Sequence, residues 1–254
     1  MHRFKKQFGQ NFLKDLNILK KIGAEIKPDL NVLEIGPGQG TLTEILIQKS
    51  KSVFSIEIDK DLKVSLTELK NKYKNFDFAI ADFLEYGVVR GKYDIVVGNI
   101  PYYISTDIIF KIVENNFSEF VLMVQKEYVD RLTALPRTSQ YSKLTVSVNS
   151  FYDIKKAFTV SKTCFYPIPK VDSAVVCFKS KKSLILDEQR SKYFEFLKTC
   201  FFSKRKTLFN NLLKTKFDKN LILGIFQELQ IDLNARAENL DATQFQKLFL
   251  KLVN

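Results

Sequence analysis

The 254-residue sequence has no tryptophan, a single histidine and only three cysteines. The histidine, His2, stands at a terminus, so catalysis through imidazole, whether in a nucleophile triad, as a general base or at a histidine metal site, is not expected. Cys164, Cys177 and Cys200 are odd in number and show no CxxC spacing. They indicate neither a zinc site nor a disulfide framework and fit a reducing, cytoplasmic setting. No apolar run approaches the roughly 20 residues that cross a bilayer, and the opening MHRFKKQFGQ lacks the apolar core of a signal peptide. A soluble protein without metal or membrane partner is expected.

Positive charge is abundant: 40 Lys and Arg face 28 Asp and Glu, a net +12, which points to a polyanionic partner, either nucleic acid or an acidic membrane surface. With 45% hydrophobic residues the chain can bury a sizeable core, as one large domain plus a small one. From position 181 onward there are 14 Lys and Arg against 8 Asp and Glu, so the charge is denser in the last third. Lys204, Arg205 and Lys206 form the centre of an acid-free run that can neutralise several phosphates.

Strand-like and helix-like segments alternate through the first two thirds, the pattern of a parallel sheet covered by helices. Strands are predicted near Val32 to Ile35, Val53 to Ile58, Phe76 to Ala81, Ile95 to Gly98 and Phe120 to Val124. Two more β-rich runs, Leu144 to Phe151 and Ala174 to Phe178, read as a closing strand pair joined by a loop that includes CFYPIPKVDS, Cys164 to Ser173. Beyond Lys179 the spacing is helical only, in Tyr193 to Phe202, Leu208 to Leu213, Leu221 to Leu229 and Phe245 to Leu252. A domain boundary is placed near Lys181, in the polar KSKKS linker.

VLEIGPGQGTLTEIL joins a hydrophobic strand to a helix through Gly36, Gly38 and Gly40. Such a turn lets backbone approach a ligand, and the helix offers free N–H groups. The spacing is G-x-G-x-G and not the G-x-G-x-x-G of dinucleotide sites, which favours a cofactor without phosphates over a nicotinamide dinucleotide. Glu57, 21 positions after Gly36 and at the end of the next strand, can accept hydrogen bonds from ribose hydroxyls. Asp82 ends the third strand and can accept from an adenine amino group. In VVGNIPYYIST an apolar run stops at Asn99, Ile100 and Tyr102. The Asn99 side chain, the Ile100 carbonyl and the Tyr102 ring together suit a planar base bearing an amino group.

The conjunction of GQNFL (Gly9 to Leu13), LEIGPGQGTLT, IEID, GNIPYYIST, QKEYVDRL, FYPIPKVDSAV, KRKTLFNNL and RAENL resembles the small-subunit ribosomal RNA adenine N6,N6-dimethyltransferases, the kasugamycin-resistance family. The motifs run along nearly the whole chain. The resemblance implies a class I S-adenosylmethionine-dependent methyltransferase over residues 1–180, a Rossmann-like α/β domain with a mostly parallel seven-stranded sheet, and a small all-helical domain over 181–254. It implies N6,N6-dimethylation of two adjacent adenosines near the 3′ end of small-subunit rRNA, within a pre-ribosomal particle, by an enzyme expected to be a monomer. Carried over by position, Asn11, Leu13, Gly36, Glu57, Asp82 and Asn99 would contact S-adenosylmethionine, with Gly38 in the same turn. Asn11 and Leu13 rest on the resemblance alone. Tyr102 would stack on one face of the target base and Phe165, in the stiff Pro167 and Pro169 loop, on the other. Lys204, Arg205 and Lys206 would bind rRNA.

Ile100 replaces a usual leucine, Ser142 a usual glycine, and Lys204 begins a stretch that is more often arginine-rich. The competing readings are a large-subunit adenine methyltransferase of the macrolide-resistance type, a non-catalytic ribosome-assembly factor and a nicotinamide dehydrogenase.

Overall fold

A computed structural model describes residues 9–253, which leaves His2 outside the described residues. The first described elements are β1 (Phe12–Leu13), α1 (Leu16–Ala24), β2 (Asn31–Ile35), α2 (Thr41–Lys49) and β3 (Ser52–Glu57). They are followed by α3 (Lys63–Lys72), β4 (Phe76–Ile80), β5 (Ile95–Asn99), α4 (Ser105–Glu114), β6 (Glu119–Gln125) and α5 (Lys126–Leu132). Next come α6 (Lys143–Asn149), β7 (Tyr152–Val160), β8 (Phe165–Tyr166) and β9 (Ser173–Ser180). The chain then runs through α7 (Arg190–Cys200), α8 (Leu208–Leu212), α9 (Lys219–Glu228) and α10 (Ala242–Val253).

Two compact units result: the chain up to Val129 with Ile154–Ser180, and Asp130–Asp153 with the chain from Lys181 onward. The segment Asp130–Asp153, expected in the first domain, therefore packs with the C-terminal helices. Its polar groups are satisfied there. The Tyr141 hydroxyl donates to the Leu240 carbonyl at 2.8 Å, Gln246 Nε2 donates to the Ser150 carbonyl at 3.1 Å, and the Ser150 and Tyr193 hydroxyls are 2.9 Å apart.

In the first unit a seven-stranded sheet runs in the order β4-β3-β2-β5-β6-β9-β7. The pairs β3 with β4, β2 with β3, β2 with β5 and β5 with β6 are parallel, and β9 runs antiparallel to β6. Ile95, Val96 and Val97 are all buried, the continuous apolar run of a strand covered on both faces. Where β6 meets β9, Phe120 and Phe178 are register partners, and their rings stack with centroids 4.1 Å apart. The α1 helix starts where the Asp15 carboxylate accepts from the backbone N–H groups of Asn17 and Ile18. It buries Leu19 and Ile22.

The run Leu144 to Phe151, expected as a strand, is the helix α6 for most of its length. Its β-branched residues mimic a strand, but Ser142 and Thr145 form a capping box, and five consecutive residues, Leu144 to Val148, are buried. Burial on all sides overrides the local preference. The closing strand is β7 instead. In the second unit, α7 and α10 meet through Tyr193 and Phe249, with ring centroids 5.3 Å apart and nearly perpendicular planes. The Arg190 guanidinium lies 4.2 Å from the Phe151 ring centroid while pairing with Asp187 at 2.9 Å.

Gly98 in β5 pairs with Ile35 of β2 and leaves no room for a side chain. A Cβ there would sit 2.8 Å from the Ile35 carbonyl oxygen and 3.2 Å from Ile100 Cγ2. Gly98→Ala is expected to lower unfolding free energy by about 1–3 kcal/mol in chemical denaturation.

Candidate active site

Parallel register brings the carboxyl ends of β2, β3, β4 and β5 to one edge of the sheet: Ile35 pairs with both Ile56 and Gly98, and Glu57 with Ile80. A cleft opens there, as open α/β sheets require, with about 1260 Å³ of empty space including its mouth. Asn11, Leu13, Gly36, Gly38, Glu57, Asp82, Asn99, Ile100 and Tyr102 all line it, so the residues anticipated on four strand ends and in GQNFL are brought together.

The loop from β2 to α2 takes left-handed backbone at Gly36, Gly38 and Gly40. At Gly38 a side chain is excluded twice over: φ is +60, and a Cβ would meet Phe12 Cε1 at 2.7 Å. Its N–H donates to Glu57 Oε2 at 3.0 Å, and the N–H of Asp59 donates to Glu57 Oε1 at 2.9 Å. The Glu57 pKa is raised, chiefly because burial penalises its charge, with the two backbone bonds opposing that effect. Glu34 lies below it, in β2. Its carboxyl accepts from Thr43 Oγ1 at 2.8 Å and Ser55 Oγ at 2.6 Å, and burial raises its pKa to about 7.

The Asp82 carboxylate caps its own turn by accepting from the Leu84 N–H at 2.8 Å. Lys111 in α4 holds the same turn by donating to the Leu84 and Tyr86 carbonyls, and desolvation lowers its pKa. Asn99 Nδ2 donates to the Asn11 carbonyl at 3.0 Å, which turns Oδ1 the other way. Neither Asn99 Oδ1 nor the Ile100 carbonyl takes a hydrogen bond among the described residues. The Tyr102 hydroxyl lies 2.6 Å from buried Ser173 Oγ, and desolvation raises its pKa.

Phe165 does not line the cavity. In β8 it pairs with Leu13 of β1, is 3% exposed and belongs to the hydrophobic core, while Tyr166 is turned outward beneath the Lys14 ammonium, 4.1 Å from its ring centroid. Strand alternation sends one of two neighbouring aromatics inward, and the inner position in β8 is a packing position. The expected role as second wall is corrected accordingly. Among the described residues, the aromatics that do line the cleft are Phe12, Phe83, Tyr102 and Tyr103.

Sequence reasoning passed over Gln10, whose Nε2 donates to Asp59 Oδ2 at 2.7 Å and ties the N-terminal segment to the β3 end. It also passed over Phe12, Phe83 and Tyr103. The doubled tyrosine was the one available signal among them. Lys204, Arg205 and Lys206 lie exposed in the turn between α7 and α8, in the second unit. Asn211 Nδ2 braces that turn by donating to the Cys200 and Ser203 carbonyls.

The model of the ribosomal RNA adenine dimethylase family matches residues 1–253. The chain belongs to this family. A ribosomal RNA small subunit methyltransferase A of Mycoplasma mobile is 45% identical over 254 residues, 99% of each chain. Its counterpart in Lactococcus lactis is 38% identical, over 96% of this chain and 88% of the relative. Among solved structures, a dimethyladenosine transferase from Plasmodium falciparum superposes with a TM-score of 0.80 and 32% identity, covering 94% of this chain and 96% of that one. The 23S rRNA methyltransferase ErmE reaches 0.71 and 28%, covering 96% and 100%.

The chain is thus an rRNA adenine dimethyltransferase with a class I fold, and its cofactor is S-adenosylmethionine. The cavity fits that group. Three carboxylates, Glu34, Glu57 and Asp82, line it, with no Lys or Arg among the described lining residues. Such a lining suits a sulfonium cation and ribose hydroxyls, and the family match over residues 1–253 removes the nicotinamide alternative.

Because the folded Glu34 carboxyl titrates near pH 7 and its unfolded counterpart near 4.5, the folded protein retains a proton that the unfolded chain has released across that interval. Stability should therefore fall as pH rises from about 4.5 to 7 and level off above, by up to about 3 kcal/mol. In Glu34→Gln, denaturation midpoints measured at pH 5, 6, 7 and 8 are expected to lose that slope.

Proposed function

We propose that this enzyme converts two adjacent adenosines near the 3′ end of small-subunit rRNA to N6,N6-dimethyladenosine, on a pre-ribosomal particle in the cytoplasm and as a monomer. The observation that carries this reading is the pair of unengaged acceptors, Asn99 Oδ1 and the Ile100 carbonyl, at the edge of a cavity lined by carboxylates.

In the proposed arrangement Gly36, Gly38, Glu57 and Asp82 hold S-adenosylmethionine, with Asn11, Leu13 and Asn99 closing over it. When bound, that cofactor supplies an electrophilic methyl group. The exocyclic adenine nitrogen is a weak nucleophile because its lone pair is delocalised into the ring. Asn99 Oδ1 and the Ile100 carbonyl accept its two N–H groups and draw it towards pyramidal geometry, leaving the lone pair directed away from both acceptors. Asn11 keeps the amide in the accepting orientation. The Tyr102 ring, anchored through Ser173, supports the base face, and unstacking the base from rRNA is what such a pocket requires. Phe83, buried in the cavity wall, helps to exclude water. Rate then derives from positioning and a dry site rather than from a strong base, and the methylated nitrogen, far more acidic than the amine, sheds its proton to solvent. After one transfer the same acceptors need only a single N–H to reposition the amine.

The two units divide the work in this reading, the first binding cofactor and base and the second rRNA through Lys204, Arg205 and Lys206. Their run from Phe196 to Phe217 contains six Lys and Arg and no Asp or Glu, a charge pattern suited to phosphates.

Asn99→Ala is expected to lower kcat by about a hundredfold or more while S-adenosylmethionine affinity drops only modestly, as read by single-turnover methylation and calorimetry. Charge reversal at Lys204, Arg205 and Lys206 should weaken small-subunit binding and flatten its dependence on salt concentration; an unchanged salt slope would exclude the block from the interface. Tritium transfer to unmethylated small subunits, naked rRNA and large subunits in parallel tests the substrate. Label on large subunits alone would overturn it.

A further inference from the structure

Tyr102 and Tyr103 share the one-turn helix Tyr102–Ile104, yet their surroundings separate them. Tyr102 is partly buried and bonded to Ser173. Tyr103 lines the same cavity but is 61% exposed, and its hydroxyl has no hydrogen bond among the described residues. Phe12, Phe83 and Tyr102 also line the cavity, and none of them is exposed, which makes Tyr103 the described aromatic at the mouth. Gly9 runs beside one edge of its ring with room for no side chain: a Cβ on Gly9, where φ is +56, would lie 3.2 Å from Tyr103 Cδ1 and Cε1. The ring thus has Gly9 beside its Cδ1–Cε1 edge and is exposed over most of its surface, as a stacking platform must be.

A substrate with two adjacent adenosines poses a geometric demand. While one base is extruded into the cavity, the other remains one phosphodiester away and must rest at the mouth. Tyr103 is one peptide unit from Tyr102, about 3.8 Å between Cα atoms. We propose that Tyr103 is the platform on which the neighbouring adenosine stacks while its partner is methylated against Tyr102. This deepens the function proposed above and rests on it. The cavity then reads a dinucleotide, with one base inside and one outside, and the base waiting on Tyr103 stays at the entrance for the second round.

The test uses small subunits reconstituted with unmethylated rRNA carrying either adenosine or uridine beside one target adenosine, with methylation read at that target position alone. With the adenosine neighbour, Tyr103→Ala is expected to lower kcat/KM about 5- to 150-fold, the range for losing one base stacked on an aromatic ring. The loss should lie mainly in KM, with S-adenosylmethionine affinity and melting temperature unchanged. Tyr103→Phe and Tyr103→Trp should restore activity. With the uridine neighbour, which stacks less strongly, the penalty of Tyr103→Ala should shrink. An alanine variant with normal kcat/KM, or a penalty of the same size beside either base, would overturn the platform while leaving the methylation of small-subunit adenosines standing. Failure of the wild-type enzyme to label any of these subunits would overturn the proposed substrate and the platform with it.

Discussion

A hydrogen bond across 88 residues of sequence, from Asn99 Nδ2 to the Asn11 carbonyl, determines which atom the β5 tip presents. A carboxamide carries a donor and an acceptor of nearly equal size, and only its partner selects the one that faces a ligand. With Nδ2 engaged, Oδ1 is left to accept beside the Ile100 carbonyl. The bond depends on the GQNFL segment lying across the sheet edge. That segment is held by the pairing of β1 with β8, by Gln10 on Asp59 and by Phe12 against Gly38. The cofactor loop and the acceptor pair are thereby coupled through the same five residues.

The electrostatics of the cavity run opposite to those of the chain. A protein of net +12 lines its site with three carboxylates and no Lys or Arg among the described residues. Burial raises the Glu34 and Glu57 pKa values, which limits the negative charge that the carboxyls concentrate there. Positive charge stands instead on surfaces such as the exposed turn at Lys204 to Lys206.

Much of the fold was legible because its periodicities are strong. The buried run of β5, the glycine turn after β2 and the helical spacing of α7, α9 and α10 each state their structure locally. The failures share a cause. LTVSVN in α6 has strand-like composition, and what makes it a helix is burial by distant helices together with a two-residue cap. Phe165 stands in a motif that reads as a binding loop, but its direction follows from pairing with β1, some 150 residues earlier. Asp130–Asp153 lies within the sequence of the first domain and joins the second because its partners, Tyr193, Leu240 and Gln246, are there.

Residue type and spacing alone pointed to the chemistry in outline, an adenosine cofactor without phosphates and an amino-bearing base, and the family match bears out that cofactor and an adenine substrate. These follow from what atoms a short segment can offer, which local sequence specifies. Direction required the tertiary structure. Which face of the Asn99 amide is free, which ring of the Tyr102 and Tyr103 pair is dry, and whether Phe165 meets ligand or core are decided by contacts between segments far apart in the chain, and no local pattern encodes those.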